Sequence, residues 1–199
     1  SPGEKRLYLA LSNRDAVAVV DLHGARMALA GTYDTRLPGQ TYFGAMPDAL
    51  AISADGASLY VANSGSNAVA VFHTQTKLGA KAPQHAAGFL PTEWYPTAVS
   101  VRDGQLFVAT AKGKGTGPNA APQRVPTSIT EPKMRRLASR PHTYIGTLLY
   151  GSLATIDLKS AEGDLERLSD AVIASNRIVN SQEHLKFAKG TNPIHHVIY

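Results

Sequence analysis

Two stretches of the chain share one alternation of apolar and polar positions. "LYLALSNRDAVAVVDL" (7–22) and "LYVANSGSNAVAVFHT" (59–74) each read as a strand, a polar turn and a second strand. A period of two puts Leu7 and Leu9 on one face of the first strand, and Leu59 and Val61 on the matching face of its copy. The return strand is Ala-Val-Ala-Val in both. A third copy opens with "LFVATAKGKG" (106–115), and its return strand is delayed to "GSLATIDL" (151–158). The copies begin at Leu7, Leu59 and Leu106, spaced by 52 and then 47 residues.

A further strand precedes each later copy. "PDALAISADGASLYVAN" (47–63) parallels "PTAVSVRDGQLFVAT" (96–110): a Pro, an alternating strand, Asp-Gly, then the next strand. Asp-Gly between alternating strands marks a hairpin, because the tight turn needs positive φ. Asp55-Gly56 and Asp103-Gly104 are therefore expected hairpin tips. The stretches 29–35 and 86–98 are expected outermost strands. About four short strands repeating every ~40–50 residues make a β-propeller blade. A β-sandwich also has short strands and frequent turns, but true repetition of Asp-Gly-x-Leu-Tyr/Phe-Val-Ala favours the propeller. The expected fold is all-β: a partial β-propeller of three to four blades of four-stranded antiparallel sheet, with a short C-terminal helix. The first unit lacks its innermost strand and the third carries a long insertion, so the chain reads as the last part of a propeller.

After Leu158 the period changes. Leu165, Leu168, Val172 and Ile173 fall at helical spacing, and Glu162, Asp164 and Glu166 sit near the start, where the helix dipole favours acids. A helix is predicted over 164–176. A polar linker follows, and "IHHVIY" from Ile194 reads as the opening of a buried strand. The expected division is 1–160 propeller repeats, 161–193 helix and linker, and 194–199 the first strand of a further domain.

Composition adds three constraints. With 43% hydrophobic and 18% charged residues among 199, the chain is expected to fold. No stretch is long and apolar enough to span a membrane. There is no Cys, which excludes disulfides, thiolate metal sites and Cys nucleophiles, and suits an exported bacterial protein. The net charge of +5 is uneven: residues 1–101 sum to zero, 102–140 to +6, and 141–199 to −1. The excess fits either a solvated insertion or a loop that faces an anion. The region lacks interleaved aromatics to stack bases, which argues against nucleic acid.

The candidate site is "AKGKGTGPN" (111–119). Gly113 and Gly115 let the backbone approach a ligand, Lys112 and Lys114 could hold an anion, and Asn119 closes the run. It is not a P-loop, since no Gly-Lys-Ser/Thr leads into a helix. The competing reading is an inter-strand loop. "TEWYP" (92–96) holds the one Trp; Trp94 and Tyr95 serve either to pack between blades or to contact a ligand or partner, and Tyr144 and Tyr150 pose the same choice. His195 and His196 point to opposite faces of a strand and cannot readily share one metal ion. His23, His73, His85, His142 and His184 show no ligand spacing. No Gly-x-Ser-x-Gly elbow occurs. The stretch 133–140 is basic and Pro-flanked, and reads as a solvated linker or one helical turn. No catalytic residue is identifiable.

Tyr60-Val61-Ala62-Asn63 resembles the bacterial "YVTN" propeller repeat. "GFLPTEWYPTAVSV" (88–101), "ATAKGKGTGPN" (109–119), "YIGTLLYGSLATID" (144–157) and "NPIHHVIY" (192–199) follow in order. Over roughly residues 43–199 the chain resembles bacterial proteins in which a YVTN propeller precedes a phosphoesterase domain of the alkaline-phosphatase superfamily. The resemblance implies that "IHHVIY" is the first strand of that domain. It also implies a divalent metal there, with ligands and nucleophile downstream; none of these falls on a residue of this chain. The chain departs from the family pattern in lacking most N-terminal blades. The expected role is the noncatalytic propeller portion of an exported (periplasmic or secreted) phosphoesterase, scaffolding the catalytic domain and presenting a basic loop near the substrate path. Expected partners are that domain or another protein, or further copies that complete the ring by oligomerisation. The alternatives are a self-contained interaction module and a propeller lactonase or dehydrogenase-like enzyme.

Overall fold

The computed structural model describes residues 3, 5–23, 27–75, 78, 82–115, 149–178 and 196. Its strands are β1 (Arg6–Leu11), β2 (Ala16–Asp21), β3 (Ala28–Asp34), β4 (Pro47–Ile52), β5 (Ser58–Asn63), β6 (Ala68–His73), β7 (Gln84–His85), β8 (Gly88–Pro91), β9 (Trp94–Arg102), β10 (Gln105–Gly113) and β11 (Ser152–Asp157). They form three sheets, ordered β1-β2-β3-β7, β4-β5-β6-β8 and β9-β10-β11. All pairings are antiparallel except the two-residue β3–β7 contact. These are blades 1, 2 and 3 of a partial β-propeller. Among the described residues only the middle blade is a complete four-stranded antiparallel sheet.

Register sorts each blade's side chains into two faces, because directly paired residues project to the same side. Tyr8 pairs with Val19, Tyr60 with Val71, and Phe107 with Thr155. Ala10 pairs with Val17, Ala62 with Val69, and Ala109 with Leu153. These sets are equivalent and make each blade's front. The back is Leu7/Val20 and Leu9/Ala18 in blade 1, Leu59/Phe72 and Val61/Ala70 in blade 2, and Leu106/Ile156 and Val108/Ala154 in blade 3.

Two cores follow from stacking front on back. Val17, Val19 and Tyr33 of blade 1 meet Leu59, Val61, Ala70, Phe72 and Phe89 of blade 2. The Tyr33 ring stacks on Phe72 at 4.7 Å, with Tyr8 beyond it at 6.3 Å. Tyr60, Val69, Val71 and Leu90 meet Leu106 and Val108 of blade 3. Blade 2 is therefore buried on both faces, and its strands read as continuous apolar runs.

The two Asp-Gly turns differ. At Asp103-Gly104 both residues have positive φ, and Arg102 pairs with Gln105, which is the tight two-residue hairpin. At Asp55-Gly56 only Gly56 is left-handed, and the turn is longer, closed by Ser53 N–H to the Ser58 carbonyl at 2.9 Å. There the Asp55 carboxylate accepts from Ala57 N–H and Ser53 Oγ–H, which stabilises the wider loop. The expected outermost strand at 86–98 is divided, with β8 ending at Pro91 and β9 beginning at Trp94.

After β11 the chain leaves blade 3 as helix. Asp157 caps α1 (Leu158–Gly163), accepting from Ser160 N–H at 2.8 Å. Helix α2 (Leu165–Asn176) matches the predicted helix closely and packs on β8. Ser169 Oγ accepts from Phe89 N–H at 2.8 Å, and Asn176 donates to the Ser66 carbonyl at 2.9 Å. Leu158 and Ala161 close the seam between blades 2 and 3, and Val172 closes the one between blades 1 and 2. Of the expected strand 194–199, His196 is described, exposed and in no strand; the rest lies outside the described residues.

Candidate functional site

The site is built around one turn residue, Asn67. It sits between β5 and β6 in the left-handed conformation (φ 51°). Its carbonyl accepts from Thr92 N–H at 3.1 Å, and its side-chain oxygen accepts from Tyr95 N–H at 2.9 Å. Tyr95 is itself left-handed, at φ 65°. This bend between β8 and β9 leaves Trp94 56% exposed, so Trp94 does not pack between blades.

Asp15 does the same work one blade earlier. It ends the 3-10 turn Ser12–Arg14 at φ 48°, and its carbonyl accepts from Thr35 N–H at 2.9 Å. Its carboxylate accepts from Gly44 N–H at 2.7 Å and Met46 N–H at 3.0 Å. Met46 is left-handed too and precedes Pro47 as Tyr95 precedes Pro96. Sequence reasoning did not single out these two staples. The signal was present: Asp15 and Asn67 hold the same place in the two aligned turns.

The candidates Trp94, Tyr95, Lys112, Gly113, Lys114 and Gly115 come together at one corner of blade 3. Trp94 pairs with Gly113 across β9 and β10. The Trp94 ring lies 3.6 Å from where a Gly115 Cβ would stand. Lys112 Nζ sits 4.3 Å from the Tyr95 ring centroid, a cation–π contact. Lys114 Nζ is 3.8 Å from Glu93, but its side chain is 88% exposed, so the pair is weak and the cation faces water. Gly113 serves a close crossing: a Cβ there would fall 2.4 Å from the Tyr150 carbonyl. The Thr110 hydroxyl clasps the same crossing, accepting from Gly113 N–H at 3.1 Å and Ser152 N–H at 3.3 Å. Asn119, Tyr144 and the basic stretch 133–140 lie outside the described residues.

An open groove of about 760 Å³ runs beside this corner, lined by Thr92, Glu93, Lys114, Gly115, Tyr150 and Leu153. Its floor is β11, whose outer edge pairs with no strand among the described residues. The groove carries the exposed Lys114 ammonium, and the exposed Trp94 indole stands beside it against Gly115.

A second polar cluster lies beside β7. Arg36 grips Asp34 through both oxygens, at 3.0 and 2.7 Å, and His85 Nδ1 stands 3.7 Å away. Burial alone would raise the Asp34 pKa, but the Arg36 guanidinium and backbone N–H outweigh it and hold the carboxyl below its usual range. Burial pushes the Tyr33 phenol up to about 12. Among the described residues no group of three or more His, Asp or Glu stands close enough to hold a metal ion. No described helix is long and apolar enough to cross a membrane.

No protein-family model matches the chain, and no curated protein matches it. Among solved structures, Kuenenia stuttgartiensis hydrazine synthase is similar at 23% identity over 56% of this chain and 27% of that chain, with a TM-score of 0.45. A functionally unknown protein from Desulfotomaculum acetoxidans DSM 771 is similar at 20% identity over 55% and 32%, with a TM-score of 0.41. A chain of a nidogen/laminin complex is similar at 17% identity over 54% and 36%, with a TM-score of 0.37. The chain thus spans between 27% and 36% of the length of these structures. Likenesses at this level carry nothing about function.

Proposed function

We propose that these blades are the noncatalytic propeller portion of an exported phosphoesterase, and that the groove beside β11 docks its catalytic domain. The observation that carries the docking role is the exposed Trp94 standing beside a concave surface that Lys114 lines. Trp and Tyr are enriched where partners bind, since they bury large area at little entropic cost. The cations at the rim attract an acidic substrate as it approaches. The enzymatic half rests on the ordered sequence resemblance alone. The divalent metal it implies belongs to the catalytic domain, and the lack of cysteine suits an oxidising compartment.

The test is the protein isolated from its source. An intact mass well above 21.1 kDa, with EDTA-sensitive hydrolysis of p-nitrophenyl phosphate or its bis-ester, is the expected result. The double variant Trp94→Ala, Lys114→Ala should then lose activity while keeping its fold. A product of 21.1 kDa with no hydrolysis would overturn the enzymatic reading.

A second reading is favoured by the β11 edge. Ser152–Asp157 carries no Lys, Pro or bulge against its free side, the usual protections of an edge strand, and Leu153 is 71% exposed. An interaction module that accepts a strand from a partner protein would keep such an edge.

A further inference from the structure

Beside the outer strands of blades 1 and 2 lie two adjoining hollows. The first, of about 330 Å³, is lined by Arg36, Leu37, Pro38, His85, Ala86 and Phe89. The second, of about 380 Å³, lies toward α2 and is lined by Leu165, Glu166 and Asp170. Pro38, Ala86 and Phe89 line both, so the two form one trough with a shared apolar floor. Each has the size of a small-ligand site. Neither shares a residue with the groove beside β11.

The two ends of the trough carry opposite charge. Arg36 bonds Asp34 through its backbone N–H, Nε and Nη2, and Nη1 makes no bond among the described residues. Asp34 is 5% exposed, so the paired guanidinium is fixed at the wall and its outer edge is left for a ligand. The loop behind it is set as well. Gln40 Oε1 accepts from Leu37 N–H at 3.1 Å, and Gln40 Nε2 donates to the Tyr42 carbonyl at 2.9 Å. At the other end, Glu166 and Asp170 stand one turn apart on α2, both exposed, and neither has an ion-pair partner among the described residues. Like charges at that spacing destabilise a helix slightly, and a cation between them relieves it.

We propose that this trough binds a short peptide as its zwitterion. The C-terminal carboxylate sits on Arg36, the side chains lie on the shared floor, and the N-terminal ammonium sits between Glu166 and Asp170. A guanidinium alone would accept any small anion. The acids at the far end repel a second negative charge and admit a positive one, which selects the dipolar ligand. This inference is independent of the phosphoesterase reading.

The test is isothermal titration of the full-length protein with trialanine, trialaninamide, N-acetyl-trialanine and inorganic phosphate. Trialanine should bind at a single site. Removing either terminal charge, as the amide and the acetyl form do, should weaken binding by about tenfold or more. Phosphate should bind more weakly than trialanine. Arg36→Gln keeps a donor for Asp34 and should no longer tell trialanine from its amide. Glu166→Gln combined with Asp170→Asn changes only exposed carboxylates, so the fold is kept whatever Arg36→Gln does to it. This double variant should no longer tell trialanine from its acetyl form. No binding of trialanine at millimolar concentration would overturn the inference. So would equal affinity for trialanine and phosphate, or a double variant that still prefers trialanine to its acetyl form. None of these results bears on phosphoester hydrolysis, so the two readings fail separately.

Discussion

Replacing Asp15 tests how the blades are held in register. The carboxylate is 1% exposed and receives two backbone N–H groups from the loop that leads into blade 2. Hydrogen bonds to a charged group contribute about 1.5–3 kcal/mol each, and a buried donor left bare incurs its full desolvation cost. Asp15→Ala removes both bonds, so about 3–6 kcal/mol is expected from them. Ala must also hold φ 48°, where a left-handed backbone adds roughly 1–2 kcal/mol. A total of about 4–8 kcal/mol is a large part of the ~5–15 kcal/mol that keeps a domain folded. Asp15→Asn should be milder, about 1.5–3 kcal/mol, because Asn tolerates that conformation and gives up one of the two bonds. Asn67 shows the outcome in place, serving blade 3 through a single bond. Urea unfolding followed by circular dichroism measures the order directly: wild type above Asn, Asn above Ala. An Asp15→Ala variant within about 1 kcal/mol of wild type, below the worth of even one such bond, would refute the reasoning. Equal losses for Asn and Ala would refute it too.

Gly65→Ala should destabilise by more than the ~1–3 kcal/mol usual for overpacking, since its Cβ would fall 1.9 Å from the Gly44 carbonyl, which is backbone and cannot swing away; thermal melting reads this. Gly88→Ala places a Cβ 2.5 Å from Leu165 Cγ and should loosen α2 from β8, seen as faster amide exchange across residues 165–176 with the sheets still protected. The Tyr33 hydroxyl is buried without a partner among the described residues, so Tyr33→Phe should leave stability unchanged or raise it by up to about 1–2 kcal/mol in a melt. The folded phenol holds its proton to about pH 12 while the unfolded one releases it near 10, so stability falls across that window, and Tyr33→Phe should shallow the fall. Asp34 is the opposite case: its folded pKa is lowered, so its contribution is present above about pH 4 and is lost as pH falls through the folded value. Arg36→Ala should flatten the acid limb of a pH–stability curve.

The blades were legible because their period is strict. Leu7, Leu59 and Leu106 mark three copies of one strand, and the structure places all three at equivalent registers. The helix was legible from Leu165, Leu168 and Val172, although its preceding turn, α1, was not. "LKSAEG" carries too short a pattern to show a period, and its cap Asp157 doubles as the last residue of a strand. The split between β8 and β9 was hidden for a different reason. The prolines of "LPTEWYP" permit a break but do not place it; the bend at Tyr95 is fixed by Asn67, 28 residues away. Gly113 of the candidate site holds a similar surprise. The sequence suggests room for a ligand there, whereas Gly113 meets the Tyr150 carbonyl, a neighbour 37 residues distant that no local pattern reveals.

The staples also explain why the candidate site stands where it does. At the blade 1 staple the residue before Met46 is Ala45, fully buried under the next turn. At the blade 2 staple the equivalent place before Tyr95 is taken by Trp94, whose larger ring a turn of the same shape would cover in part. The β5–β6 turn lays Ser64 and Gly65 on Met46 and Ala45 through two backbone bonds of 3.0 Å. At the end of β10 the equivalent residues are Ala111 and Lys112, and a lysine cannot pass where Gly65 nearly touches backbone. The chain meets that conflict by bulging β10 between Thr110 and Gly113 and swinging Lys112 over Tyr95. One departure from the repeat, Lys112 for glycine, thus opens the corner, exposes the indole and sets a cation beside it. Restoring the repeat with Lys112→Gly should draw Trp94 toward burial, read as a blue shift of the single-tryptophan emission. An unchanged spectrum would mean that the bulge, and not the lysine, holds the groove open.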